Sequence, residues 1–348
     1  MVAKHSAVRG AVLAGVLAGV VAMTSACAPH VQTAMAPPAA FAGPMIVESS
    51  QDYGMGHFVV QDGAQLPFRR WSPQGRPKAV IIALHGFSDH SAAWRLAGPW
   101  WAERGIEVWA YDQRGFGGAP NKGEWADPAL SRDDLRTVSA LVRAQRPDAK
   151  IAIMGESMGG ALGITAFASD NPPAADRLIL LAPAVWGWSS QSMLNRAALW
   201  AGGHFLGSSR LEPPAFATQK IRASDNVVEL LRNGRDPRFT VATRIDALHG
   251  LVGLMEEGAE GLGHVRVPTL LAYGDHDSVV PRQAMQKALE RAGPRDGLVT
   301  AYYPDGWHIL NRDLAAEVIF ADVEAWLDGQ PLPSHAPAVL PSLAAADN

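Results

Sequence analysis

Three observations in the sequence predict an α/β fold: a mostly parallel central sheet, helices on both faces and an inserted helical cap. Apolar runs of strand length alternate with helical stretches. The later runs are near-continuous Val, Ile and Leu, as befits strands buried on both faces. One long interval, from about residue 183 to 263, has helical patterning without a convincing strand, and the alternation then resumes.

The strand-length runs are His57–Gln61, Leu66–Trp71, Ala79–Leu84, Glu107–Tyr111, Lys150–Met154, Arg177–Leu181, Thr269–Tyr273 and Val299–Tyr303. Helical segments lie at Ser91–Glu103, Arg132–Ala144, Met158–Ala168, Arg282–Arg291 and Leu314–Trp326. Because the sheet resumes afterwards, residues 185–263 read as a cap inserted between core segments 53–184 and 264–329, rather than as a second domain. The cap is apolar and aromatic, with Trp186, Trp188, Met193, Leu194, Leu199, Trp200, Phe205 and Leu206. Most of these are expected to pack the cap onto the core, and a few to line an acyl-binding space.

The ends differ in character. Residues 1–26 hold Lys4 and Arg9, then an uncharged apolar run over 10–23, then small residues, the layout of an exported signal peptide. Cys27, the only cysteine, follows directly and rules out an intramolecular disulfide. A small-residue stretch before a lone cysteine resembles the bacterial lipoprotein signal. It implies a lipidated Cys27 anchored in the cell envelope and facing the periplasm. Ordinary cleavage near Ala26 or Ala28, giving a secreted or periplasmic protein, and retention as an anchor are the alternatives. Residues 27–52 are Ala/Pro-rich and read as a tether, and 330–348 as a disordered or loosely draped tail. The net charge of −4, without a dense Lys/Arg block, argues against a nucleic-acid partner.

The chemistry centres on Gly155-Glu156-Ser157-Met158-Gly159, between a strand and a helix. A sharp turn there exposes the serine hydroxyl at the sheet's carboxyl edge, beside free N–H groups of a helix N-terminus. Downstream, Asp275 and Asp277 follow the strand at 269–273, and His308 follows the strand at 299–303. Nucleophile, acid and base thus stand in the order of a Ser-acid-His triad. In acyl-transfer hydrolases the loop after a strand such as Ala79–Leu84 donates one oxyanion N–H. Phe87 is assigned that role and Met158 the second. His85 reads as structural, Asp89 and His90 as braces of this loop, and Asp112 and Arg114 as holding a loop beneath the site.

HGFSDH at 85–90, YDQRGFG at 111–117, GESMGG at 155–160, GDHDSVVP at 274–281 and GWHIL at 306–310 together resemble the monoacylglycerol lipase and lysophospholipase branch of the α/β-hydrolases. The resemblance spans roughly residues 57–328. It implies Asp277 as the triad acid, and a serine-dependent hydrolysis of monoacylglycerol, lysophospholipid or related esters with no cofactor and no metal. A thioesterase, a small-residue aminopeptidase, or an inactive lipid-binding envelope lipoprotein of the same fold are the other readings.

Overall fold

The computed structural model describes residues 28–212 and 221–346, so residues 1–26, read above as a signal peptide, and Cys27 lie outside the described residues. In chain order the strands are β1 (Met45–Glu48), β2 (Met55–Val59), β3 (Gln65–Trp71), β4 (Ala79–Leu84), β5 (Ile106–Tyr111), β6 (Lys150–Glu156), β7 (Arg177–Leu181), β8 (Arg210–Leu211), β9 (Thr243–Arg244), β10 (Thr269–Gly274) and β11 (Leu298–Tyr303). The α-helices are α1 (Ala97–Ala102), α2 (Pro128–Gln145), α3 (Met158–Ala168), α4 (Met193–Phe205), α5 (Val227–Arg235), α6 (Ile245–Gly261), α7 (Arg282–Ala292), α8 (Ala316–Leu327) and α9 (Val339–Ala346).

Nine strands form one sheet in the order β1-β2-β3-β5-β4-β6-β7-β10-β11. From β5 to β11 every pairing is parallel, whereas β1, β2 and β3 add an antiparallel edge. All six residues of β4, β5 and β10 are buried, which explains why these strands read as unbroken apolar runs. Two apolar clusters lie on opposite faces: Ile82 and Leu84 of β4 belong to one, Ile81 and Ala83 to the other. Helices cover both, and this is the α/β-hydrolase fold. All eight predicted strand runs are present. Among the described residues, no helix is long and apolar enough to cross a membrane.

Four features differ from the sequence expectation. The helix expected over Ser91–Glu103 is broken into a 3-10 turn at Ser91–Trp94 and α1. Pro99 lies in the first turn of α1, where its missing N–H costs nothing, so it begins a helix instead of continuing one. The tether is partly docked. Met45–Glu48 pairs with β2 residue by residue, and Gln32 bridges to Ala126. The cap contains a short antiparallel pair, β8 with β9, too brief to leave a period in the sequence.

The tail expected to be loose lies along the sheet edge. Tyr302 N–H donates to Pro337 O at 2.8 Å, and Val339 N–H to Thr300 Oγ1 at 3.1 Å. Ser334 and Tyr303 both donate to the buried carboxylate of Asp322. Val339 and Leu343 of α9 are buried in the core cluster. β11 is an edge strand, and an uncovered edge leaves apolar surface and strand N–H groups in water; the tail covers it. Leu343→Ala is therefore expected to destabilise the fold by about 2 kcal/mol or more, read as a lower midpoint in urea unfolding. A freely draped tail would leave the midpoint unchanged.

Candidate active site

Ser157 sits between β6 and α3 with φ 52° and ψ −114°, a strained conformation for a residue with a Cβ. The neighbouring glycines show why. A Cβ on Gly155 would lie 2.3 Å from the Gly159 carbonyl, and one on Gly159 would lie 2.5 Å from Leu84 O. Only at this approach does strand turn into helix within one residue, and the turn leaves Ser157 half-exposed at the sheet's carboxyl edge. Its backbone is held on both sides: N–H donates to Leu181 O at 3.0 Å, and its carbonyl accepts from Ala184 N–H at 3.0 Å.

Asp277 and His308 come together at the same carboxyl edge of the sheet, on loops after β10 and β11. His308 Nδ1 lies 2.9 Å from Asp277 Oδ2. The other oxygen, Oδ1, accepts the Val279 and Val280 N–H groups at 2.8 and 2.9 Å. Four lone-pair directions are thus used by three donors, which fixes the carboxylate's rotation. Asp275 is engaged elsewhere, by Arg282 and the Tyr302 hydroxyl. Burial pushes the His308 imidazole toward its neutral form. The Asp277 charge and hydrogen bond, with Glu156 and Asp313, outweigh it and hold the pKa above the ordinary value.

The assigned oxyanion donors come from two different segments, the start of α3 and the loop after β4. Met158 opens α3, so its N–H has no partner within the helix. Phe87 follows Gly86, whose absent Cβ would lie 3.4 Å from Ser157 Cβ. The loop is rigid from below. His85 Nε2 accepts the Gln113 N–H at 3.0 Å while Nδ1 donates to Gly86 O at 2.8 Å, a single neutral tautomer; burial also lowers its pKa. Asp112 accepts from Ser91 and Gly118 N–H, while Arg114 pairs with Asp62 and Asp134, so the two residues brace separate turns and not each other. His90 Nε2 contacts Asp236 of the cap at 3.0 Å.

Sequence reasoning missed three contributors. Arg312, fully buried, forks to Asp89 Oδ2 at 2.7 Å and to Glu156 Oε1 and Oε2 at 3.0 and 3.2 Å. Asp313 accepts from Ser224 Oγ at 2.6 Å and Trp307 N–H at 2.8 Å; burial pushes its pKa up to about 7 despite both bonds. Ser224 belongs to the third contributor, cap segment 221–244, which touches the loops that carry Phe87, Asp277 and His308. Thr240 N–H donates to Ser88 O at 2.8 Å, Ser278 Oγ to Arg222 O at 3.0 Å, Ile309 N–H to Ala223 O at 2.9 Å, and Glu229 pairs with Arg95. Arg312 was visible as a cation in an apolar stretch, but nothing in its spacing names its partners.

The first half of the cap behaves differently. Met193, Leu194, Trp200, Phe205 and Leu206 are exposed, between 52% and 79%, so the expectation that most cap apolar residues pack inward is corrected. Helix α4 meets α6 along a seam of small residues, Gly202 against Ile245 and Gly203 against His249, too narrow to bury its other sides. Trp186, Trp188 and Leu199 are partly buried against the core.

This fold with this site defines a serine hydrolase of the α/β-hydrolase class. The chain belongs to the Hydrolase_4 family, described as serine aminopeptidase, S33, which it matches over residues 75–315. It is 24% identical over 282 residues to a monoacylglycerol lipase of Mycolicibacterium smegmatis, covering 78% of this chain and 95% of the relative. It is 30% identical over 281 residues to the monoglyceride lipase of Rattus norvegicus, covering 78% and 89%. Among solved structures, it resembles a soluble variant of monoglyceride lipase from Saccharomyces cerevisiae, with TM-score 0.63, 15% identity, and 85% and 99% coverage.

Asp277→Asn is expected to lower kcat by about 10⁴-fold, and Asp275→Asn to leave it within a few fold. The reverse pattern in steady-state assays moves the acid two residues upstream. Because the base works only when neutral, the raised pKa of His308 places the acidic limb of kcat/KM above pH ~6.5, so activity climbs with pH through the neutral range.

Proposed function

We propose that this enzyme hydrolyses carboxylic esters of lipid-like substrates, monoacylglycerols or lysophospholipids, with Ser157 as nucleophile. The observation that carries the reading is the His308–Asp277 hydrogen bond beside a strained, half-exposed Ser157. His308 takes the Oγ proton as Oγ bonds to the ester carbonyl carbon, and the oxyanion lies against the Phe87 and Met158 N–H groups. Collapse breaks the C–O bond to the alcohol, which leaves with the proton from His308. Water, deprotonated by the same imidazole, then releases the acid from the acyl-enzyme. No step calls for a cofactor.

Two observations support a lipid-like substrate. The first is the similarity to monoacylglycerol lipases. The second is the cap, whose α4 and α5 present Met193, Leu194, Phe205, Val228 and Leu231 to solvent. An apolar patch of this kind marks a surface that meets other apolar matter. The family's description raises the aminopeptidase alternative, which needs a free carboxylate to receive the substrate's ammonium. Glu156 is bound to Arg312, Asp277 to His308, and Asp313 to Ser224 and Trp307 N–H, so these acids are committed. A thioester substrate fits the same machinery and is separated by assay. Lipidation of Cys27, placing the enzyme on the envelope facing the periplasm, suits an enzyme whose substrate is held in lipid. Radiolabelled palmitate incorporation that Cys27→Ser abolishes is the expected result.

Ser157→Ala is expected to abolish ester hydrolysis and labelling by a fluorophosphonate, with a loss on the order of 10⁴–10⁶ in kcat and an unchanged melting profile. Retention of a tenth of the activity would falsify the assignment. On wild type, kcat/KM over p-nitrophenyl esters should rise several-fold per two-carbon step beyond acetate, since each buried methylene gains about 0.8 kcal/mol. The two halves of the cap should separate. Replacing Met193, Leu194 and Phe205 by Ser should lower turnover of micellar monoacylglycerol and spare p-nitrophenyl acetate. Replacing 221–244 by a Gly/Ser linker should abolish both.

A further inference from the structure

Three of the four loops that build the site each contribute one buried charge to a common cluster. Asp89 lies two residues beyond Phe87 on the oxyanion loop, Glu156 immediately precedes Ser157, and Arg312 follows His308 by one helical turn of sequence. All three are at most 5% exposed. The guanidinium bridges the two carboxylates with distances of 2.7, 3.0 and 3.2 Å. We propose that Arg312 is a positioning residue of the reaction, clamping oxyanion loop, nucleophile and base in one register, and that the Glu156 carboxylate it holds acts electrostatically on His308. The proposal rests on the reading of Ser157 as nucleophile.

Stability alone does not account for charges here. Buried ion clusters give little net stabilisation, and apolar residues of similar volume often pack as well or better. What the fork supplies is geometry. Arg312 has a planar donor array that fixes two carboxylates in relative position, and those carboxylates are rigidly attached to the groups that must meet at the carbonyl. Gly86 lets them close: a Cβ there would lie 3.1 Å from Glu156 Oε1.

The electrostatics give a signature distinct from mere folding. His308 faces Asp277 from the acid loop, Glu156 from the elbow and Asp313 from its own loop, and Asp225 of the cap in turn acts on Asp313. Arg312 balances Glu156 and Asp89, with His85 beside Asp89, and Arg95, paired to Glu229, lies near Arg312. Burial holds the Glu156 carboxyl above its ordinary range, and the Arg312 charge opposes that shift without cancelling it. An ionised Glu156 favours the imidazolium, so removing its charge makes His308 easier to deprotonate.

Three full-length variants test this: Glu156→Gln, Arg312→Lys and Arg312→Met. Melting curves, the pH profile of kcat/KM and separate kcat and KM values on p-nitrophenyl butyrate are measured for each. Glu156→Gln is expected to fold and to move the acidic limb to lower pH by roughly half a unit or more. Arg312→Lys keeps the charge without the fork and should lower kcat on the order of 10-fold at near-constant KM; Arg312→Met should lower it by about 10²-fold. If Arg312→Met does not fold, the other two variants decide. A folded Glu156→Gln whose profile superimposes on wild type, together with a wild-type kcat in Arg312→Lys, overturns the inference. Wild type that no fluorophosphonate labels overturns the Ser157 reading instead.

Discussion

The close approach of β6, α3 and the end of β4 is the constraint on which the rest of the site depends. Atoms that lie 2.3 to 2.5 Å from the missing Cβ positions of Gly155 and Gly159 leave room for one way around the turn, and Ser157 takes it at φ 52°. Strain of this kind costs on the order of 1–3 kcal/mol and persists only where the surroundings over-determine it. Here they do. β6 is paired on both sides, and the Ser157 N–H and carbonyl are each bonded to the β7 strand end or the segment following it. Once the serine is fixed at the carboxyl edge of a central strand, the parallel order β6-β7-β10-β11 delivers the acid and base loops to the same edge without further specification.

Having brought the loops together, the fold has to manage the charges it buries. Two of the acids show opposite outcomes of one competition between desolvation and hydrogen bonding. Asp89 is pushed up by burial and pulled below its ordinary range by Arg312 and His85. Asp313, with one hydroxyl and one N–H but no cation bonded to it, is left near neutrality, with a pKa of about 7. The Arg312 guanidinium bonded to Asp89, which has no counterpart at Asp313, separates the two. This is why a guanidinium at position 312 matters beyond its own contacts: without a cation, Asp89 and Glu156 would meet in a nearly water-free space as two like charges.

What the sequence makes legible follows from how local the cause is. The strands β4, β7, β10 and β11 are readable because each is a short, mostly apolar run, β2, β3, β5 and β6 because apolar residues dominate or alternate along them, and the elbow because glycine spacing and the strand-to-helix switch are properties of neighbouring residues. His308 is readable from strand order. The choice between Asp275 and Asp277 is not readable from local chemistry, since both follow the same strand end. It is decided in space by Arg282 and Tyr302 occupying one and His308 the other. Arg312, Ser224 and Thr240 are illegible for the same reason: their partners lie between 89 and 223 residues away, or, for Thr240, across the cap on Ser88. The tail misled because its Pro and Ala content predicts looseness. It is ordered by the edge of β11, a surface the tail's own composition does not mention.

The cap carries this argument furthest. One label, an inserted helical excursion, covers two segments with opposite physical situations. Segment 221–244 holds helix α5 between irregular stretches, and its backbone and side chains are bonded to the loops that carry Phe87, Asp277 and His308. Helix α4 is regular, yet its apolar side chains face water and it touches α6 through glycines. Regularity of pattern therefore tracks neither burial nor role here. A helix that meets an external apolar phase keeps its hydrophobic residues without needing a core to receive them. The exposed side chains of α4 are thus separate from the bonds by which 221–244 holds the loops around Ser157, Asp277 and His308, and α4 can change them without disturbing those bonds.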